Sequence, residues 1–433
     1  MVQSKTRFST KIKEMSNKHV KLKPVHNYIK FKKKQNDALS IMNRGESIFI
    51  TGAGGVGKTS VLKSFIDNTR IRVAITSTTI DSANILKGTT LKDFLGIGYR
   101  NKPCQTLKNR LVFIDCLIID EISMIHPTLF DRLEHIARTV RGNSKPFGGI
   151  QLILSGDFLQ LSCKGTMDFC FQAKTWDSCI PNVIYLDEII RQSDRVFQEC
   201  LNNIRIGNLT CNTRDVLNNR IGVVLDNIRP TKIYARDNNV SIENNIQLDK
   251  LAEDGRYFYA YEMTIKTTGQ YLINKFIKYC PVEQRIELCI GAHVILAINI
   301  DQSFGLIKGS RGVVVKFVSD MPVVRFLNGI ERIIFMNTWV INEKGREVLE
   351  ASQIPINIAY AISIHKSQGR SLDYAEIDLS DMFEYGQAYS ALSRVKTLAG
   401  LSIISINYDY IKADPVAVNY YKNIIEKNLK KFS

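Results

Sequence analysis

Apolar positions along this chain gather into short unbroken runs, and stretches of helical spacing separate them. Phe31 to Arg44 repeats its apolar residues with a helical period, and Gly45 ends it. Ser47-Ile-Phe-Ile-Thr51 is a short apolar run that reads as a buried strand, and Thr59 to Asn68 resumes helical spacing. Ile71 to Ser77 is a second apolar run, and Arg110 to Asp120 ends in a third, Cys116-Leu-Ile-Ile-Asp120. Thr128 to Val140 is amphipathic, with Leu129, Phe130, Leu133, Ile136 and Ala137 on one face, and Ile150 to Ser155 is a fourth buried strand. Fully apolar strands alternating with helices predict an α/β fold whose parallel sheet is covered on both faces. From Leu288 the pattern becomes alternating and β-rich (Gly291 to Ala297, Gly312 to Val318, Pro322 to Phe326, Arg332 to Phe335), with glycine-containing turns between. This predicts a small β unit. Strand-and-helix texture returns at Ile356.

A chain of 433 residues has room for two or three domains, each with its own core. Hydrophobic residues at 45% and charged residues at 23% exclude a disordered, collagen-like or disulfide-scaffold protein. No apolar run approaches the roughly 18–20 residues of a membrane span, so no membrane partner is expected. Nine cysteines without a Cys-x-x-Cys pair read as free thiols in a reducing compartment, with no zinc site expected.

The net charge of +16 is unevenly placed. Residues 1–34 carry eleven Lys or Arg against the single acid Glu14, a net of +10, and the remaining chain carries +6. Such an arm suits a polyanion partner through counterion release; equally, it reads as a solvated, disordered tail. It is rich in Lys and lacks an apolar core segment, so neither a secretory signal nor a transit peptide is expected.

Gly52-Ala-Gly-Gly-Val-Gly-Lys58-Thr59 is a complete G-x-x-x-x-G-K-[ST] phosphate loop lying between a predicted strand and a predicted helix. The glycines Gly52, Gly54, Gly55 and Gly57, with Val56 and Ser60 beside them, let backbone N–H groups wrap phosphates. Lys58 would reach the β and γ oxygens, and the Thr59 hydroxyl would ligate Mg²⁺. ATP and Mg²⁺ are therefore the expected cofactors. Asp120 and Glu121 close the third apolar run, where Asp120 would hold the metal through its water shell and Glu121 would polarise the attacking water. Ser155-Gly-Asp157-Phe-Leu-Gln160 follows the fourth run and suits a γ-phosphate sensor. Hydrolysis also needs positive charge from outside the phosphate-loop domain, and Arg191 and Arg394 are the candidates.

These residues resemble a known family. Glu121-Ile-Ser-Met124, Leu129-Phe-Asp-Arg-Leu-Glu134-His-Ile-Ala-Arg138 and Lys145-Pro-Phe-Gly-Gly-Ile-Gln151-Leu-Ile-Leu-Ser-Gly-Asp157 resemble the signature block of the petite-integration-frequency (PIF) group of superfamily 1B DNA helicases, which is related to the RecD helicases. Gly291-Ala-His-Val294, Leu306-Ile-Lys-Gly309-Ser-Arg-Gly312, His365-Lys-Ser-Gln-Gly369 and Gly386-Gln-Ala-Tyr-Ser-Ala-Leu-Ser-Arg394 match further. The likeness runs from about Gln35 to about Ile404.

The resemblance implies two RecA-like motor lobes with parallel sheets and a small inserted β-barrel. The expected layout is a basic, disordered arm at 1–30 and a first lobe at 31–187 with a wedge-like segment near 88–110. A second lobe at 188–304 and 351–425, the barrel at 305–350 and a tail at 426–433 complete it. Gln35 would read the adenine edge, Gln160 would act as sensor, and Arg191 and Arg394 would reach the γ-phosphate. Thr78, Lys92 and Phe94 in the first lobe and His365, Lys366 and Ser367 in the second would hold single-stranded DNA. Departures fall on the DNA side: Thr79 and Ser82 stand where the family prefers Gly and Ala, Lys92 where it has His, and Ser162-Cys163 where it has Pro-Pro. The implied activity is ATP-driven 5′ to 3′ translocation on single-stranded DNA with duplex unwinding, in replication, repair or recombination. The implied partners are single strands and single/double-strand junctions, met by a monomer in the nucleus, and the Ile, Asn and Lys usage suits an AT-rich genome such as that of a large DNA virus. The competing reading is an ATP-switched nucleic-acid-binding protein with little unwinding. A phosphate-loop kinase would explain neither the second-lobe motifs nor the chain length.

Overall fold

The unbroken apolar runs become the centre of a six-stranded sheet. Strands Ile48–Gly52, Cys116–Asp120 and Gln151–Gly156 are buried along their whole length, as runs without polar alternation require when helices cover both faces. The sheet is parallel throughout, in the spatial order Thr89–Thr90, Val73–Ser77, Cys116–Asp120, Gln151–Gly156, Ile48–Gly52, Asn182–Leu186. Its carboxyl edge therefore gathers Gly52, Asp120 and Gly156, the edge where ligands of such sheets bind. This computed structural model describes residues 31–96, 105–163, 168–225, 230–267, 269–301, 303–343 and 346–432. The arm at 1–30 and the middle of the segment near 88–110 lie outside the described residues.

The amphipathic stretch expected at Thr128 to Val140 forms the helix Pro127–Arg141. His126 caps it by accepting from the Thr128 N–H, Pro127 fits the first turn, where no N–H is needed, and left-handed Gly142 ends it. Phe130, Leu133 and Ala137 are its buried face.

A second sheet of four parallel strands has the order Ala361–Ser363, Thr231–Tyr234, Ala375–Leu379, Leu401–Ile406. Its core includes Phe197, Leu201, Ile233, Ile377, Leu392 and Ile403. Between the first two of these strands in space, the chain makes its β-rich excursion. Five antiparallel strands run in the order Glu331–Ile333, Met321–Phe326, Arg311–Val318, His293–Leu296, Ile356–Ile358. A three-stranded sheet joins Asn337–Glu343, Arg346–Gln353 and Thr264–Thr267, and Tyr259–Glu262 pairs with Arg285–Leu288. The five-stranded sheet and the two-stranded pair share a core through Tyr261, Ile286, Val294, Val314, Val324 and Ile356, while Phe276, Leu349 and Ala351 form a smaller core at the three-stranded sheet.

The antiparallel region thus reaches from 259 to 358, beyond the 305–350 expected for the insertion. Its outer strands are only three or four residues long, too short to register as alternation in sequence. The end of the chain differs as well. The helix Pro415–Phe432 sends Ala417, Tyr421 and Ile424 into the first-lobe core, although residues to 425 were expected to belong to the second lobe. Among the described residues, no helix is long and apolar enough to cross a membrane.

Candidate functional site

The phosphate loop leaves strand Ile48–Gly52 and enters helix Lys58–Asn68. Gly55 and Gly57 have φ of 87° and 84°. A Cβ on Gly55 would stand 2.5 Å from Arg191 Cβ, and one on Gly57 would stand 2.6 Å from Gln35 Nε2. Only glycine meets both the left-handed backbone and the close packing. The N–H groups of Ile190 and Arg191 donate to the Gly55 carbonyl at 2.8 and 3.0 Å, which ties the entry to the second lobe onto the loop. The Gly54 N–H donates to the Tyr389 hydroxyl at 2.8 Å. Gln35 is buried; its Oε1 accepts from the Lys32 N–H at 3.0 Å and its amide donates to the Val56 carbonyl at 3.2 Å. Ser60 is exposed on the first turn of the helix.

The Lys58 ammonium donates to the carbonyls of Gly52 and Ala53 at 2.8 and 2.9 Å. Burial pushes its pKa down, opposed by the charges of Asp157, Glu121 and Asp120. Thr59 Oγ1 lies 3.5 Å from Asp120 Oδ2, which also accepts from Ser82 Oγ. A hydroxyl and a buried carboxylate converging here are the hard oxygen donors that Mg²⁺ takes, so the residues present fit that ion. Glu121 turns off the strand with φ of 56°, a left-handed conformation that costs a non-glycine residue roughly 1–3 kcal/mol. Burial, reinforced by Asp120, raises the Glu121 pKa against the pull of Lys58 and Arg394, in the direction that favours accepting a proton. Gln368 Nε2, from the second lobe, donates to Glu121 Oε2 at 3.2 Å.

The two arginines arrive from across the lobe boundary. Arg394 Nη2 donates to Gln160 Oε1 at 3.0 Å, and Arg191 Nη1 donates to the Ser393 carbonyl at 2.9 Å. Burial and repulsion from Arg394 push the Arg191 pKa down to about 10, and burial likewise lowers that of Arg394. Two desolvated guanidiniums beside the phosphate loop make a site that calls for anionic charge.

Residues that sequence reasoning missed extend this network. Arg205 makes a two-bonded ion pair with Asp157 (Nε–Oδ2 3.0 Å, Nη2–Oδ1 2.8 Å), and neither side chain is more than 5% exposed. The Arg205 guanidinium lies 4.8 Å from the ring of Tyr421. The Tyr421 hydroxyl shares a 2.6 Å hydrogen bond with Thr51 Oγ1 and accepts from the Phe158 N–H at 3.0 Å. In sequence, Arg205 is one cation in the last turn of an amphipathic helix, and Tyr421 lies beyond the motifs. Neither carried a signal of its own.

The expected DNA contacts scatter more widely. Thr78, His365 and Lys366 line one cleft of about 850 Å³ between the lobes and the β region. Thr78 Oγ1 donates to the Glu121 carbonyl at 2.7 Å, His365 Nε2 is 3.0 Å from Glu384 Oε2, and exposed Lys366 is 3.8 Å from Asp237. Lys92 is outside that lining. Ser367 is buried and donates to the Ile364 carbonyl at 2.7 Å. Phe94 packs in the first-lobe core, so its ring is not offered for stacking; its place on the inner face of a short helix decides this.

Residues 31–215 match a family described as PIF1-like helicase, and residues 272–317 match the 2B domain of DNA helicase Pif1. The ATP-dependent DNA helicase PIF1 of Mus musculus is 38% identical over 91% of this chain, which spans 63% of that relative's length. A crystal structure of Pif1 helicase from Candida albicans, 30% identical, superposes with a TM-score of 0.85 over 92% of this chain and all of that one. A Pif1 helicase from Bacteroides in complex with ADP-AlF3 and single-stranded DNA is 27% identical, with a TM-score of 0.77 over 92% of this chain and 98% of that one.

Proposed function

Because this chain belongs to the PIF1-like helicase family, we propose that it is an ATP-dependent DNA helicase that moves 5′ to 3′ along single-stranded DNA and separates the duplex ahead of it. The observation that carries this reading is the composite nucleotide site. A phosphate loop, Asp120, Glu121 and Gln160 of the first lobe face Arg191 and Arg394 of the second, across a boundary bridged by the Arg394–Gln160, Gln368–Glu121 and Gly54–Tyr389 hydrogen bonds.

In this reading Lys58 binds the β and γ oxygens of ATP. Thr59 and, through the water shell, Asp120 would hold Mg²⁺, which would supply positive charge beside the phosphates. Glu121 orients the attacking water and accepts its proton, while Arg191 and Arg394 stabilise the charge developing on the γ-phosphate. Gln160 bonds to Arg394 only while the lobes are together, so it senses the nucleotide state. Gln35 faces the phosphate loop from the adenine side. Thr78, His365 and Lys366 grip the strand in the 850 Å³ cleft; Lys92 adds a phosphate contact, and Phe94 and Ser367 hold the contacting segments in place. Closure on ATP and opening after hydrolysis then alternate the grip of the two lobes. A monomer acting at single/double-strand junctions in the nucleus, with the basic arm as tether or address, completes the proposal.

The test combines ATPase assays with strand displacement on duplexes carrying a 5′ or a 3′ tail. Wild-type protein should show DNA-stimulated turnover and displace the 5′-tailed duplex alone. Lys58→Ala should bind DNA and lose turnover by at least about 100-fold. Unwinding undiminished in Lys58→Ala sinks the assignment, and strong stimulation without displacement points to an ATP-switched binding protein instead.

A further inference from the structure

The 850 Å³ cleft has a neighbour of about 800 Å³, lined by the helix Ile80–Ile85, the loop at 305–311 and the segment 369–374. Four residues line both clefts: Asp81, Lys308, Gly309 and Arg370. They form a sill between the clefts, and they come from three parts of the molecule. Asp81 belongs to the first lobe, three residues after Thr78. Lys308 and Gly309 belong to the β region. Arg370 follows the segment that carries His365 and Lys366.

The sill is held by an ion pair. Arg370 Nε lies 2.7 Å from Asp81 Oδ2, with side chains 15% and 22% exposed. Gly309, at φ of 95°, lets the pair sit against the loop, since a Cβ there would stand 2.9 Å from Asp81 Oδ1. Asn84 Nδ2 also reaches across and donates to the Lys308 carbonyl at 2.8 Å.

Cations outnumber the carboxylates at this place. Lys308 is partly buried, and among the described residues its ammonium makes no hydrogen bond or ion pair. Arg311, in the lining of the smaller cleft, donates to Thr231 Oγ1 and the Ala359 carbonyl rather than to an acid. Asp373 in the same lining pairs outward with Lys396 at 2.7 Å. Burial lowers the pKa of Lys308 and of Arg311, and burial raises that of Asp81 against the pull of Arg370. Asp93 and Lys92 also act on Lys308, so four cations meet two acids here, and this partly desolvated cluster is short of negative charge.

We propose that Arg370 and Lys308 form a phosphate-binding position for a single strand crossing from one cleft to the other, and that Asp81 holds this position closed by competing with the strand for Arg370. The inference rests on the strand-binding reading above and adds an autoinhibitory contact to it. As phosphate takes the place of the carboxylate, the tie between first and second lobe is released at the point where the strand passes.

Competition has a signature that a structural staple lacks: the two partners of one ion pair should act in opposite directions. Affinity for a fluorescein-labelled oligothymidine is measured by anisotropy on the full chain, without nucleotide and over a salt series. Asp81→Asn should bind about fivefold more tightly than wild type. Arg370→Gln should bind about tenfold more weakly, with a log–log salt slope shallower by about 0.7, the share of one phosphate contact on a single strand. Lys308→Gln should weaken binding in the same direction as Arg370→Gln. Arg370→Lys keeps the charge and should retain most of the affinity, which separates lost contact from lost fold. Weaker or unchanged binding by a folded Asp81→Asn protein overturns the inference, as does an unchanged salt slope in Arg370→Gln. Wild-type protein that fails to bind oligothymidine overturns the helicase reading itself, a distinct result.

Discussion

The nucleotide cleft and the strand cleft lie between the same two lobes and are built in different ways. Around the phosphate loop, polar groups are buried and bonded to one another. Arg394 reaches Gln160, Gln160 contacts Asp157, Asp157 is paired to Arg205, and Arg205 lies over Tyr421, which returns to Thr51 beside the loop. Along the strand cleft Lys366 and Asp237 are exposed, Arg370 and Asp81 are partly exposed, and the contacts are separate local pairs: Lys366 with Asp237, His365 with Glu384, Arg370 with Asp81. A buried chain of bonds fails as a unit when one member is lost, because each remaining group is left desolvated. Solvated contacts fail one at a time and by less. Hydrolysis needs the first behaviour, since the transition state demands fixed charges. Movement along a strand needs the second, since each contact must be released in turn.

The sharpest test of this contrast is Arg394→Ala. It should lower kcat for ATP hydrolysis by about 1000-fold, while oligothymidine affinity in the absence of nucleotide changes little. Steady-state kinetics beside anisotropy check this; equal losses in both would merge the two clefts into one unit.

Next in size is Arg205→Met. Removing one partner of a buried ion pair costs about 3–5 kcal/mol, readable as a shift of the urea midpoint. Acid should shrink the deficit. Burial alone would push the Asp157 carboxyl up, but the charge and hydrogen bonds of Arg205, helped by Lys58, hold it below its ordinary value. A carboxyl depressed in the folded state contributes stability that is complete above the unfolded pKa of about 3.9. That contribution is lost as the pH falls through the folded value. Wild type and Arg205→Met should therefore differ most near neutral pH and converge below about pH 4. A gap that stays constant into acid would remove the ion pair from the explanation.

Smaller effects belong to the strand side. Deleting residues 1–30 should weaken DNA binding about tenfold and flatten its salt dependence, with basal ATPase intact. An unchanged slope returns the arm to a solvated tail. Lys366→Gln should cost less still, no more than about fivefold in oligothymidine affinity, because its charge is already screened by solvent. A larger loss would show that this lysine is desolvated by the bound strand.

Legibility in the sequence follows the same division. The phosphate loop was readable because its chemistry is contiguous. Eight consecutive residues carry the turn geometry, the ammonium and the metal-side hydroxyl, and the apolar runs on either side fix strand and helix. Asp120 and Glu121 were readable because they end a run that could only be a buried strand. Arg191 and Arg394 could be named as candidates from the chemistry, but their reach to the γ-phosphate came only through the family resemblance, since a lone arginine has no local pattern. Phe94 shows how such transfer reaches its limit. The segment is recognisable, but which side of a five-residue helix faces the core is settled by packing. The β region shows a related limit, because strands of three or four residues such as Ile356–Ile358 and Thr264–Thr267 borrow their stability from neighbours distant in the chain.

The sequence alone determined the α/β character of the first lobe, the phosphate loop and the acids that serve it, because each depends on residues within a few positions of one another. Tertiary structure decided the partners. Asp157 meets Arg205 across 48 positions, Asp81 meets Arg370 across 289, and Thr51 meets Tyr421 across 370. An ion pair or hydrogen bond across such a separation costs loop-closure entropy and leaves no periodic trace in the chain. It exists only once the two lobes, the β region and the last helix have packed, and that packing is what turns a nucleotide-binding lobe into a site shared between two.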